Sequence, residues 1–412
     1  MNTSGIKFGG FHRCFVGKFF VVVLFFGLFP QSSMAATSNA QLEQYVINIC
    51  GNPPNPLPAG WDPLSLALMC THWGGAASSG GTSVSANLGI ANAGSEISGR
   101  RKKGIRDREE EQKKKSAQGA SADGGGWGFL VTPQYGKNTR TETDLENGYN
   151  STLSGLLVGV DYRFSDSFVL GTTVAHTKDD ATFLNNAGSL KTSNNVFTIY
   201  GTWLPADRLS VDGYLGYGKT SFDSLRNINW ITNAATVPPN GFFGTVSGST
   251  SGRQTMAGMS FTLQEDYGRL SVSPFLNLDY IKTRIDGYSE SGTTTIEMHY
   301  ADRDVTSFTS SLGIRLESSY TYDWGMLIPN VRLATVHEFQ NNSQQIKNEL
   351  VITPGSGFVV ATDAPTRNYL NSGLGVSAAL NRDAQLFLDY DRRSGDRLLS
   401  SWALSAGVLI GF

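Results

Sequence analysis

From Trp127 to the C-terminus the chain alternates apolar and polar residues with a period of two, the pattern of strands whose two faces meet different surroundings. Leu156, Val158, Val160, Tyr162 and Phe164 share one face, and Leu157, Gly159, Asp161 and Arg163 share the other. Further on, Leu270, Val272, Pro274, Leu276, Leu278 and Tyr280 oppose Ser271, Ser273, Phe275, Asn277 and Asp279. Leu312, Ile314 and Leu316 oppose Gly313, Arg315 and Glu317, while Leu386, Leu388 and Tyr390 oppose Gln385, Asp389, Asp391 and Arg393. The last run places Trp402, Leu404, Ala406, Val408, Ile410 and Phe412 on one face and the mostly small Ala403, Ser405, Gly407, Leu409 and Gly411 on the other. Twelve such segments can be counted. Apolar-out and polar-in alternation over about 10 residues is the signature of a transmembrane barrel. The predicted fold class is therefore all-β, a twelve-stranded antiparallel transmembrane β-barrel. Tyr162, Phe164, Tyr280 and Tyr390 at strand ends, with Trp127 and Trp203, suit interfacial aromatic girdles.

The connections alternate as well. Short turns are expected at 165–167, 205–207, 266–268, 322–324 and 381–383, and long polar loops near 136–150, 178–194, 222–250, 285–304 and 340–367. Short turns on one rim and long loops on the other match the two faces of such barrels. An even strand number puts both ends of the barrel on the short-turn rim.

Upstream the text changes. Residues 1–35 read as a secretory signal, with Lys7, Arg13 and Lys18, an apolar core from Phe19 to Phe29, and a small-x-small site before Ala36. Residues 36–73 are a proline-rich segment holding Cys50 and Cys70, and 74–99 form a Gly/Ser-rich linker. Cys50 and Cys70 are an even pair in an oxidising compartment, which predicts one disulfide. Residues 100–122 are highly charged. Glu109/Lys113, Glu110/Lys114 and Glu111/Lys115 are i,i+4 pairs in the favourable order, so a helix over Arg106–Lys115 is expected. It would have no apolar face for a soluble core or for lipid. A barrel lumen would suit it.

Composition narrows the function classes. The net charge of -2 argues against nucleic-acid binding, which needs a basic surface. The five histidines form no zinc-spaced pair, and Gly248–Gly252 and Gly355–Gly357 lack the strand-to-helix setting of a nucleophile elbow. The expectation is a chain with no catalytic site, metal or cofactor. The inward-facing Asp161, Arg163, Arg315, Glu317, Arg332, Glu338, Asp389 and Arg393 are expected to line the lumen, paired across strands.

An aromatic residue closing an alternating strand resembles the assembly signal of Gram-negative outer-membrane barrels, here Leu404, Val408, Ile410 and Phe412. Leu157–Tyr162, Leu278–Tyr280, Ala364–Leu370 and Ala406–Phe412 together resemble the translocator domain of classical monomeric autotransporters, over 127–412. That resemblance implies an outer-membrane barrel preceded by a pore helix, here 100–122. It implies export or anchoring of the chain's own N-terminal segment, with the lipid bilayer, barrel-assembly machinery and periplasmic chaperones as partners and a monomeric barrel as the state. The short segment 36–99 and the cysteine pair depart from the family, and 100–122 contains no Asn for cleavage. The alternative is a pore or surface-binding barrel acting through its long loops. Whether 36–73 reaches the cell surface is open at this level.

Overall fold

The computed structural model describes residues 38–73, 126–165, 167–206, 208–233, 240–380 and 384–411. The signal segment 1–35, the linker 74–99, the charged stretch 100–122 and Phe412 lie outside the described residues.

Among the described residues twelve long antiparallel strands close into one ring. They are β1 (Trp127–Arg140), β2 (Tyr149–Ser165), β3 (Phe168–Phe183), β4 (Gly188–Ala206), β5 (Leu209–Asn233) and β6 (Asn240–Leu263). They continue with β7 (Leu270–Ile285), β8 (Arg303–Ser318), β9 (Gly325–Glu338), β10 (Asn368–Leu380), β11 (Ala384–Ser394) and β12 (Leu399–Gly411). Each pairs with its chain neighbours, and β12 returns to β1 in a register that sets Gly128 opposite Gly411 and Arg140 opposite Leu399. Leu156, Val160, Leu276, Leu312, Ile314, Leu388, Leu404, Val408 and Ile410 are exposed on the outer wall. In water such a surface would be unfavourable; in a bilayer it is solvated.

Two strands are far longer than a membrane requires. β5 has 25 residues and β6 has 24, against about 10 for a crossing. The segments 178–194 and 222–250, expected as long loops, are mostly strand. β3 runs to Phe183 and β4 starts at Gly188, and β5 and β6 are separated only by 234–239. Above the bilayer both faces of a strand meet polar surroundings, so the apolar alternation that identifies a strand fades while the ladder continues. The same overshoot moves the outer aromatic belt inside the strands. Tyr135 and Tyr390 both pair with Leu404, and Trp402 lies 5.9 and 6.1 Å from their rings. At the short-turn rim Trp127, Tyr162 and Phe164 pack edge-on.

On the long-loop rim a second, smaller structure forms. The β7–β8 and β9–β10 loops contribute four short strands, Tyr288–Ser289, Met298–Tyr300, Gln345–Leu350 and Gly357–Ala361. Two helices, α1 (Ser38–Gly51) and α2 (Pro63–Trp73), lie in the same hydrophobic core as this sheet and the tips of β5 and β6. Leu42, Val46 and Met69 are buried with Met298, Leu350 and Trp230. The start of α2 is written into its sequence. Asp62 accepts hydrogen bonds from the Leu64 and Ser65 amides, and Pro63 takes the first helical position, where its missing N–H costs nothing. Cys50 at the end of α1 and Cys70 in α2 are joined as a disulfide with Cα atoms 5.2 Å apart.

The small inner face of the last strand has a packing reason. A Cβ built on Gly407 would sit 2.1 Å from the Phe387 ring on β11. Gly407→Val should therefore lower the yield of closed barrel, and Phe387→Ala in the same chain should restore it. The heat-modifiable shift of the folded band on an unboiled gel reads both.

Candidate functional site

The inner wall carries an apolar belt as well as charges. Leu130, Leu157, Val196, Met256, Ile281 and Leu409 are buried there together with Tyr200, Tyr214 and Phe387. Leu157 and Leu409 stand on the face the alternation assigned to the lumen; the joining of the inner apolar residues into one belt is what the structure adds. The tyrosines reconcile the two chemistries, since each ring joins the belt while its hydroxyl reaches a carboxylate. Tyr200 donates to Asp161 at 2.6 Å, and Tyr214 donates to Asp279 at 2.8 Å.

The charges expected to line the lumen fall into separate groups. Asp161 belongs to the belt. Arg163 lies at the short-turn rim, its Nε 3.4 Å from the Ser165 carbonyl. Arg315 and Glu317 are buried neighbours on β8 with a nearest N–O distance of 3.9 Å. Arg332 bridges Asp389 and Asp391 at 3.0 and 3.2 Å, across β9, β10 and β11. Arg393 pairs with Asp396 and stacks its guanidinium 3.7 Å above the Tyr369 ring. Glu338 accepts the Phe308 and Gln340 amides at 2.9 Å. Arg332, Glu338, Tyr369, Asp391, Arg393 and Asp396 face one cavity of about 340 Å³.

Two ionic clusters on the long-loop side escaped the sequence reading. Arg140 at the top of β1 meets Glu146 at 2.9 Å and Asp363 at 2.8 Å. Thr143 donates to Asp363 at 2.7 Å, and the Asp363 amide donates to Glu146 at 2.8 Å. Burial pushes the Glu146 carboxyl above its ordinary range, against the opposing pull of Arg140. Deeper, Arg226 of β5 is fully buried against Glu290 from the β7–β8 loop, Nε to Oε1 3.0 Å. Glu290 also accepts the Met298 amide at 3.0 Å, and Arg226 donates to the Ile296 carbonyl at 3.0 Å. Arg140 and Asp363 are 223 residues apart and Arg226 and Glu290 are 64 apart, separations that leave no local pattern. The one local signal is Arg226 itself, a buried arginine on the outer half of β5, where the sequence predicts a loop.

The N-terminal helices are fixed to this rim by polar contacts. Tyr45 Oη lies 2.7 Å from Thr353 Oγ1, the Trp61 indole donates to the Pro354 carbonyl at 3.1 Å, and the Asp62 amide to the Ile352 carbonyl at 3.3 Å. The chain resumes at the opposite rim. Gly126 accepts the Arg163 amide at 2.9 Å, and Trp127 pairs with Tyr162 beside a short turn. The described residues flanking 74–125 thus lie at opposite ends of the barrel. The three histidines of the barrel half hold cross-strand positions: His176 Nδ1 is 2.8 Å from Asn195 Oδ1, His299 Nδ1 2.9 Å from Ser289 Oγ, and His337 Nδ1 2.7 Å from Asn368 Oδ1.

A family model described as "Autotransporter beta-domain" matches residues 129–391. Among solved structures, the translocator domain of autotransporter NalP from Neisseria meningitidis superposes with a TM-score of 0.58 at 14% identity, covering 79% of this chain and 97% of that one. Among curated proteins, Lipase 1 of Photorhabdus luminescens is 25% identical over 282 residues, 67% of this chain and 41% of the relative. Outer membrane protein A of Rickettsia rickettsii is 23% identical over 280 residues, 66% of this chain and 12% of the relative. The chain therefore matches less than half the length of each of these relatives.

Two outcomes test these ion pairs. Removing one partner of a buried pair strands the other charge, so Arg226→Met should destabilise the rim structure by about 3–5 kcal/mol, and Arg226→Met with Glu290→Met should recover most of it. Limited proteolysis of the folded barrel measures this. For Asp396, burial alone would raise the carboxyl. Arg393, the Thr366 hydroxyl and the Leu398 and Leu399 amides outweigh burial and hold it below its ordinary value. A depressed carboxylate contributes stability above its unfolded pKa and loses it as pH falls through the folded one. The stability gap between wild type and Asp396→Asn should be full above about pH 4 and close below it, as read from denaturant midpoints at pH 6 and pH 3.

Proposed function

The chain belongs to the family of proteins with an autotransporter β-domain, and from that premise we propose that its barrel carries residues 38–73 across the outer membrane and keeps them there as a surface cap. The barrel is an outer-membrane translocator of a Gram-negative bacterium; its cargo and the fate of that cargo are the proposal. One observation supports it most. The helices bearing Cys50 and Cys70 share a hydrophobic core with the long loops, while the chain enters β1 at the short-turn rim. A link between those two levels passes either through lipid or through the lumen. Residues 100–115 hold Arg100–Lys103, Glu109–Glu111 and Lys113–Lys115. Their transfer into hydrocarbon is prohibitive. In this reading 74–125 threads the lumen, with the charged helix of 100–122 inside it and wall charges such as Arg315, Arg332 and Asp389 around it.

The disulfide between Cys50 and Cys70 then clasps a hairpin too small to build a core by itself. Its stability comes from the loops it docks on. Retention follows, because the cap shares its core with the barrel that exported it. The reading assigns no catalysis, metal or cofactor to the barrel, and it treats the lipase activity named in one relative as that protein's own. The lipid-facing Leu404, Val408 and Ile410 of β12, with Phe412, are proposed to be what the assembly machinery recognises.

An epitope tag placed before α1, after Ala36, tests the surface location in intact cells. Labelling without permeabilisation is expected; labelling only after permeabilisation would place the helices in the periplasm and sink the reading. The lumenal path has its own readout. Deleting 100–122 should raise single-channel conductance well above that of the full-length chain. Equal conductance would put the charged segment outside the pore.

A further inference from the structure

Four strands carry the same short pattern on their outer face, an aromatic residue followed two positions outward by a cation. They are Tyr135 and Lys137 on β1, Tyr217 and Lys219 on β5, Tyr280 and Lys282 on β7, and Tyr390 and Arg392 on β11. In each case the cation lies on the long-loop side of the tyrosine. Alternation puts both on the wall that faces lipid, and Lys137, Lys219 and Arg392 are exposed. Interfacial tyrosines sit at headgroup level, so these cations lie just above the hydrocarbon of the outer leaflet.

On β5, β6 and β7 the pattern condenses into a cluster. Lys219 pairs in register with Arg253, and Arg253 pairs in register with Arg284. All three are exposed. Adjacent strands are about 4.8 Å apart, so three like charges stand side by side. Like charges directly opposite one another destabilise a sheet. Two carboxylates offset part of the charge nearby. Asp302 holds Arg284 at 2.9 Å, and Asp304 holds Lys282 at 2.7 Å. Both of these pairs are well exposed. Among the described residues no carboxylate lies within ion-pair distance of Lys219 or Arg253.

We propose that Lys219, Arg253 and Arg284, with Lys282 at their flank, bind a phosphate-bearing lipid headgroup of the outer leaflet. Guanidinium and ammonium groups form their strongest hydrogen bonds with phosphate. The acyl chains of the same lipid would lie along Leu215, Met259 and Leu276, which are exposed on the same wall below the cations. A soluble anion would meet only the charges; a lipid meets the charges and the apolar wall together. This goes beyond the translocator reading, since it concerns the outer wall and makes no use of the lumen or the cap.

The test uses the full-length protein purified in neutral detergent, with bisphosphorylated lipid A as the probe and its dephosphorylated form as the comparison, read by native mass spectrometry. Wild type should retain the phosphorylated lipid through detergent exchange. The K219Q/R253Q/R284Q variant should lose about a hundredfold in retention, about a factor of five for each cation near a charged membrane surface. An R208Q/R269Q control at the short-turn rim should retain the lipid like wild type. Equal retention by the triple variant, or equal retention of the dephosphorylated lipid by wild type, would overturn the site. If the triple variant fails to show the heat-modifiable shift of a folded barrel, the single variants K219Q and R253Q carry the same comparison.

Discussion

A polypeptide crossing hydrocarbon must satisfy every backbone N–H and C=O by itself, because lipid offers neither donor nor acceptor. The other features of this molecule depend on that constraint. It requires β12 to return to β1, and it makes the last strand a seam as well as an end. It demands small residues where the seam is crowded, as at Gly407 beneath the Phe387 ring. It also divides the side chains by solvent. Leu156, Leu312 and Leu404 meet lipid, while Leu130, Leu157 and Leu409 on the inner wall are buried in a belt of protein.

Once the ring is closed, its long-loop rim becomes a platform. The β5–β6 hairpin, the four-stranded sheet and the two N-terminal helices share a core that none of them could form alone. Two ionic clusters order the loops beneath it. Arg140, Glu146 and Asp363 tie the first loop to the β9–β10 loop. Arg226 and Glu290 fix the β7–β8 loop to the wall of β5. Buried pairs of this kind contribute little net stability. Separating either pair would leave a buried charge uncompensated, so each holds its loop against the barrel wall.

The sequence exposed the barrel because period-two alternation is local. Leu156 to Phe164 and Leu270 to Tyr280 announce their faces without reference to any other part of the chain. Strand number, closure and the side on which both ends fall follow from the same pattern. What stayed hidden had no local period. The outer halves of β5 and β6 read as polar loops, since Ser, Thr, Asn and Gly on both faces erase alternation in water. The α1–α2 hairpin shows in the sequence as a cysteine-bracketed segment, and its helices take their support from residues as distant as Trp230, Met298 and Thr353. The individual wall charges were foreseeable, while their partners were not: Arg332 could be placed inside, but its bridge to Asp389 and Asp391 depends on the register of three strands.

The shared core of cap and loops has a further bearing on transport. An outer membrane has no nucleotide hydrolysis to drive a chain across it, so direction has to come from a difference between its two sides. Leu42, Val46, Leu66 and Met69 bury their side chains only where Met298, Leu350 and Trp230 are available, each contributing about 1.5–3 kcal/mol on burial. Those receptors exist on one face of the membrane alone. On the export reading, the helices bury less before passage, with only each other and the disulfide to hold them, than after it, and the asymmetry acts as a ratchet: the destination is stickier than the origin, and the barrel itself supplies the difference.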